Sequence, residues 1–329
     1  MTTPPPPVPP DGGGVVPPPP PNPYAPPSQF PPYPPPPRQR PVHPQFPDGF
    51  PPYPPPGQQQ LPPGPPPGTG PTVGVGQPAV PAHPLLYPGA PVTLVDAVVS
   101  GRPVKPAGWG IPDFVITFFL WIFFSTVAVG ISALLFGDPE VTSGPGIMLA
   151  LSMPWIGLAG WPLLVSWWKG NGPVIDFGLT ARVSDLLWGV AYGLIALVCA
   201  AIIAAITTAI FGDFDSAAGE IGASLDSLPL LLLFGVLVGL GAPIVEELAF
   251  RGLLFGALAK RGLAPWLSIG ISALVFSSFH FEPIRIPLLL STGIVLGIAR
   301  YHRRSTTVPI IAHMVNNVPA AIALVLMSS

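Results

Sequence analysis

From Ile111 to the C-terminus the chain alternates long apolar runs with short breaks of Gly, Pro and charged residues. Seven runs reach or approach the length that crosses a bilayer core as a helix: 113–136, 146–168, 186–211, 228–259, 264–281, 285–300 and 306–327. The fourth overruns a hydrocarbon core of about 30 Å at about 1.5 Å per residue, so a tilt, or a break near Gly241 to Pro243, is expected. The sixth is short. Glycines four apart, at Gly189/Gly193, Gly235/Gly239, Gly252/Gly256 and Gly293/Gly297, predict close helix–helix approaches and are read as packing alone. The pattern predicts an all-α polytopic membrane protein of about seven transmembrane helices.

The N-terminal third has a different character. Of the 54 prolines, 41 precede residue 107. A chain of that composition has too little apolar surface to form a core, and its Pro runs favour an extended polyproline helix. Residues 1–107 are therefore expected to be a disordered Pro-rich tail on the cytoplasmic side, followed by a membrane domain over 108–329. The tail has no basic stretch leading into an apolar one, so it is not read as a signal peptide. Pieces such as Phe50-Pro-Pro-Tyr-Pro-Pro-Pro56 suit an aromatic-lined groove on a cytoplasmic partner, while an inert spacer is the plainer reading.

Composition and charge sharpen this picture. Charged residues make up 9% of the chain and hydrophobic ones 49%, against about 25% charged in soluble proteins. The single cysteine, Cys199, can form neither an intrachain disulfide nor a thiolate metal site. No basic tract with interleaved aromatics points to nucleic acid. Loop charges alternate in sign: Arg102, Lys105, Lys169, Arg182, Lys260, Arg261, Arg300, Arg303 and Arg304 fall on one side. Asp138, Glu140, Asp213, Asp215, Glu220 and Asp226 fall on the other, with Arg285 the exception. The positive-inside rule then places the N-terminus in the cytoplasm and the C-terminus outside, in the plasma membrane.

The candidate chemistry lies in Pro243-Ile-Val-Glu246-Glu247-Leu-Ala-Phe-Arg251-Gly252, which sets two carboxylates and a guanidinium in an apolar run. Such residues within a membrane span are rare and mark functional sites. On a helix Glu247 and Arg251 share a face and can pair, whereas Glu246 points about 100° away and stays available as a base. His280 closes Phe276-Ser-Ser-Phe-His280, and His313 shares a helix face with Asn317. His302 reads as an exposed loop residue in the basic cluster. A Glu and an imidazole can activate water, and an Asn amide and an imidazole can stabilise an oxyanion. Equally, Glu246, His280 and His313 form a set that can hold zinc with an open position for water, as in metalloproteases. If spans four, five and seven were simple perpendicular helices, His280 and His313 would lie near opposite surfaces. Span five must then tilt, or part of 262–285 must be re-entrant.

Glu246-Glu247-x-x-x-Arg251, Phe276-x-x-x-His280 and His313-x-x-x-Asn317, in that order, resemble the three motifs of the CPBP family of CAAX prenyl endopeptidases and bacteriocin-processing or immunity proteins. The likeness covers about residues 240–320. It implies an intramembrane endopeptidase acting on a membrane-associated peptide. The residues matching Glu246 and His280 would activate water, and those matching His313 and Asn317 would stabilise the oxyanion. A non-cleaving immunity or binding protein of the same fold, and a small proton- or ion-coupled transporter using Glu246 and Glu247, are the alternatives.

Overall fold

A computed structural model describes residues 83–225 and 227–328. Residues 1–82 of the tail expected over 1–107, and with them the expected docking strip, lie outside the described residues. Those described are helical throughout, with no strand among them. In chain order the helices are α1 (Val92–Val99), α2 (Ile111–Phe136), α3 (Gly144–Lys169), α4 (Pro173–Phe177) and α5 (Val183–Phe211). They continue with α6 (Ala217–Ala223), α7 (Leu228–Lys260), α8 (Pro265–Ser278), α9 (Ile286–Arg303) and α10 (Thr307–Ser328).

Six of these are long and apolar enough to cross a membrane, and the chain is a multi-pass membrane protein. The outward faces carry the apolar side chains, as at Leu187 (66% exposed) and Val198 (57%) on α5, which suits them to lipid. The fifth expected span is α8, only 14 residues long. At about 1.5 Å per residue it rises about 21 Å, short of a ~30 Å core. It nonetheless connects opposite ends of the bundle. At the end of α7, Lys260 donates to the carbonyls of Ala107 and Trp109 just before α2. At the start of α9, Glu282 accepts from the backbone N–H of Ala217, just beyond α5.

Residues 83–107, which proline content assigns to the tail, are among the described residues. They form a strap across the basic end of the bundle, with Ala90, Leu94 and Ala97 buried. Val92 N–H donates to the Arg304 carbonyl (2.9 Å) and Thr93 Oγ1 to that of Ile175 (2.9 Å). Proline density alone hides this, because Val92–Val99 is a short proline-free run that buries its apolar face on α4.

All four glycine pairs sit at or near helix contacts, and the tightest join α5 to α10. A Cβ on Gly189 would lie 2.5 Å from Cβ of Ile311, and one on Gly193 would lie 2.5 Å from Cβ of Val315. Gly293 on α9 approaches Ala273 of α8 in the same way, at 3.0 Å. At the centre is the second half of α7, where Leu248 to Ala259 are buried on every side. Trp109, Phe114, Val165, Phe177 and Phe276 pack around it.

Helix α7 runs on past Pro243 without breaking. Instead it widens into two π-helical turns, Leu237–Gly241 and Leu248–Leu254. Pro243 lacks an N–H and its ring crowds the preceding turn, and a wide turn accommodates both. π-turns inside helices concentrate at functional sites, and the second one here carries Arg251.

Candidate active site

Glu247 ends the regular stretch Ala242–Glu247 and is fully buried. Its Oε1 accepts from Arg251 Nη1 (2.7 Å) and lies 3.0 Å from His313 Nδ1. Its Oε2 has no hydrogen-bond partner among the described residues. Arg251, also fully buried, donates through Nη2 to the Gly293 carbonyl (2.9 Å) and lies over the Phe276 ring, 4.7 Å from its centre. The pairing expected from the four-residue spacing is present. A third group joins it, because α10 brings His313 against the same carboxylate.

Glu246 is placed differently. Its side chain is 22% exposed, and Oε2 lies 3.9 Å from His313 Nε2. That is too long for a hydrogen bond and suited to a bridging water. His313 thus has one ring nitrogen toward each glutamate. Nδ1 must carry hydrogen to satisfy the Glu247 carboxylate, an acceptor-only group, so in the neutral ring Nε2 is an acceptor facing Glu246.

His280 sits just beyond α8, with Nδ1 3.0 Å from the Phe276 carbonyl. Nδ1–H donates there, leaving Nε2 free to accept. The helix stops because Phe281 adopts φ 55°, the left-handed region disfavoured for a residue with a Cβ. His280 has no hydrogen bond or ion pair to either glutamate or to His313. The link between them is the Phe276 ring, with its centre 4.9 Å from that of His280 and 5.6 Å from that of His313. His313 thus has one ring nitrogen 3.9 Å from the Glu246 carboxylate and the other 3.0 Å from that of Glu247.

Both imidazoles pack on the Phe276 ring. Ser305 and Thr306, which lead into α10, are fully buried, and Thr306 Oγ1 donates to the Phe177 carbonyl (2.6 Å) of α4. The first turn of α10 is thus held against α4, and His313, two turns on, packs on Phe276.

Asn317 shares the His313 face but has a partner of its own. Its Nδ2 donates to the Val238 carbonyl at 3.3 Å. In the wide turn Leu237–Gly241 the backbone donor for that carbonyl would be residue 243, a proline with no N–H. Asn317 satisfies the acceptor that Pro243 leaves unpaired, and its Oδ1 accepts from Asn316 Nδ2 (3.1 Å).

Sequence reasoning overlooked Arg300, which it counted among loop charges. It lies inside α9, fully buried, and its Nε donates to the Arg251 carbonyl at 3.2 Å. No carboxylate pairs with it among the described residues. His302, expected in a loop, is also inside α9. It is exposed, with Nδ1 2.8 Å from the Tyr192 hydroxyl.

Residues 228–319 match the family profile of type II CAAX prenyl endopeptidases, Rce1-like, just over a quarter of the chain. Over that segment the chain is similar to the CAAX prenyl endopeptidases. All six candidate residues fall within it. Among curated proteins, the chain is 30% identical over 95 residues to the membrane-embedded CAAX protease MroQ of Staphylococcus aureus, which is 27% of this chain and 37% of MroQ. It is 29% identical over 150 residues to YdiL of Bacillus subtilis, assigned as a membrane peptidase, which is 45% of this chain and 57% of YdiL. The chain thus spans little more than a third of one relative and just over half of the other. No solved structure matches it.

The zinc set does not fit the geometry. Among the described residues no three His, Cys, Asp or Glu side chains gather at ligand spacing. Both histidines fix Nδ1 on an acceptor and leave Nε2 open, as metal-ligating imidazoles do, so it is the spacing alone that argues against the set. No step below passes through a metal.

Proposed function

We propose that this membrane protein is an endopeptidase that hydrolyses a peptide bond of a membrane-associated substrate, with Glu246 as the base. The observation that carries the reading is the unlike state of two adjacent carboxylates. Glu247 is sealed and held by Arg251 and His313, whereas Glu246 is partly exposed and faces the remaining nitrogen of the same imidazole. Water held between Glu246 Oε2 and His313 Nε2 gives one proton to Glu246. The resulting hydroxide attacks the carbonyl carbon, and the proton passes from Glu246 to the departing amine as the C–N bond breaks. His280 Nε2 is a second acceptor for orienting the water. Asn317 keeps one amide hydrogen after bonding Val238, and this is the donor to the oxyanion. The family's description, a CAAX prenyl endopeptidase, points to a prenylated CAAX peptide as the substrate class.

The chain is read as a plasma-membrane protein with its N-terminus in the cytoplasm. The strap end gathers Lys105, Lys169, Arg182, Lys260, Arg303 and Arg304, while the opposite end gathers Asp138, Glu140, Asp213, Asp215 and Glu220.

The test uses full-length protein in liposomes with prenylated and unprenylated peptides, with cleavage read by mass spectrometry. Glu246→Gln should lower the rate by about 10²–10⁴-fold, the usual contribution of a positioned base. Its thermal midpoint should stay at the wild-type value. Unchanged cleavage by Glu246→Gln removes the assigned role, and peptide binding without cleavage by the wild type identifies a non-cleaving relative.

A further inference from the structure

At the strap end a cavity of about 650 Å³ opens between the start of α2, the end of α3 and the end of α7. This is within the ~300–1,000 Å³ range of small-molecule sites. It lies apart from the glutamates, some thirteen residues further along α7. Four cations line it, Lys105, Lys169, Lys260 and Arg261, against two carboxylates, Asp113 and Asp176.

The carboxylates are already engaged. Asp113 takes Lys169 Nζ (2.6 Å) on Oδ1 and Gly110 N–H (2.8 Å) on Oδ2. Asp176 accepts from Trp109 Nε1 (2.8 Å), Asn171 N–H (2.9 Å) and Asn171 Nδ2 (3.0 Å). Both are 2% exposed. The cations keep donors in reserve. Arg261 is exposed, and its side chain makes no hydrogen bond or ion pair among the described residues. Lys105 Nζ has a single long bond, 3.4 Å, to the Trp168 carbonyl. Lys260 gives two hydrogens to the carbonyls of Ala107 and Trp109 and retains one.

The cavity's level in the bundle fits the same ligand. It is framed by three span ends, where lipid headgroups lie, and beside Lys169 the rings of Trp167 and Trp168 stand 72% and 67% exposed, as interfacial aromatics do. Basic pockets between membrane helices hold phosphate headgroups through charge and hydrogen bonds. The geometry points to a phosphate-binding site in this cavity, with Arg261 and Lys105 as the principal ligands and an anionic phospholipid or free phosphate as the source.

The experiment uses the full chain in nanodiscs of equal phosphatidylcholine and phosphatidylglycerol, and native mass spectrometry reads the retained lipid. Wild type should hold phosphatidylglycerol in preference to phosphatidylcholine. The double variant Lys105→Gln/Arg261→Gln should bind it about 25-fold more weakly, about fivefold for each cation removed. Both side chains are exposed, so the thermal midpoint should not move and a folding defect is separable. Inorganic phosphate is then titrated onto delipidated protein. Displacement of the lipid at low millimolar phosphate, with the same loss in the double variant, assigns the site to the free anion. Lipid retention against phosphate assigns it to the headgroup. Equal retention of the two lipids with no phosphate binding, or phosphatidylglycerol retention unaltered in the double variant, overturns the inference. None of these readings depends on proteolysis.

Discussion

Replacing Arg251 with Ala tests whether the glutamate cluster is as dry as its geometry says. The guanidinium and the Glu247 carboxylate are both fully buried, 2.7 Å apart, and Arg251 also satisfies the Gly293 carbonyl at 2.9 Å. Removing it leaves a carboxylate whose Oε2 already has no partner, together with an unpaired carbonyl. Breaking a buried pair from one side costs about 3–5 kcal/mol, because the remaining charge keeps its desolvation penalty and loses its compensation. The double variant Glu247→Gln/Arg251→Met removes both charges at similar volume and should recover most of that loss, since a neutral pair carries little penalty. The assay is equilibrium unfolding of the full chain in mixed micelles, with Glu247→Gln, Arg251→Met and the double variant completing a cycle beside Arg251→Ala. A loss below about 1 kcal/mol for Arg251→Ala, in the range of exposed pairs, would show that water reaches Glu247 and would refute the argument from burial.

Arg300→Met should cost only about 1–2 kcal/mol, because it strands the Arg251 carbonyl and the more distant Gly89 carbonyl and no opposite charge. A loss as large as that of Arg251→Ala would reveal a carboxylate partner outside the described residues. Gly193→Ala should destabilise the chain by about 1–3 kcal/mol through overpacking against Val315 and the Ala312 carbonyl. Gly130→Ala, with nothing within 4 Å of the added methyl, is the control and should be neutral or stabilising in the same unfolding assay. Reporter fusions at 140, 172 and 218 and at the C-terminus should place only 172 in the cytoplasm; a cytoplasmic signal at both 172 and the C-terminus would reject the proposed orientation.

Much of the fold was legible because hydropathy and helical periodicity are local. Six apolar runs became long helices, and the glycine pairs landed at helix contacts because a missing side chain allows approach wherever the partner arrives. The Glu247–Arg251 pair was legible for the same reason, since four residues along one helix fix a face without reference to anything else. What required the tertiary structure was every relation across long separations. The gap that Pro243 leaves in its helix could be read from the residue itself, but its filling by Asn317, 79 residues beyond Val238, could not. Likewise, the spacing of the motifs did not decide which histidine reaches Glu246. The packing of α10 against α7 decides it. Arg300 read as a loop cation because its neighbours are charged, yet the packing of α9 against α7 buries it beneath the turn that holds Arg251. Local sequence determines which groups can face one another along a helix. Only the packed bundle sets their depth and partners, because burial and hydrogen-bond satisfaction are decided by surfaces from distant parts of the chain.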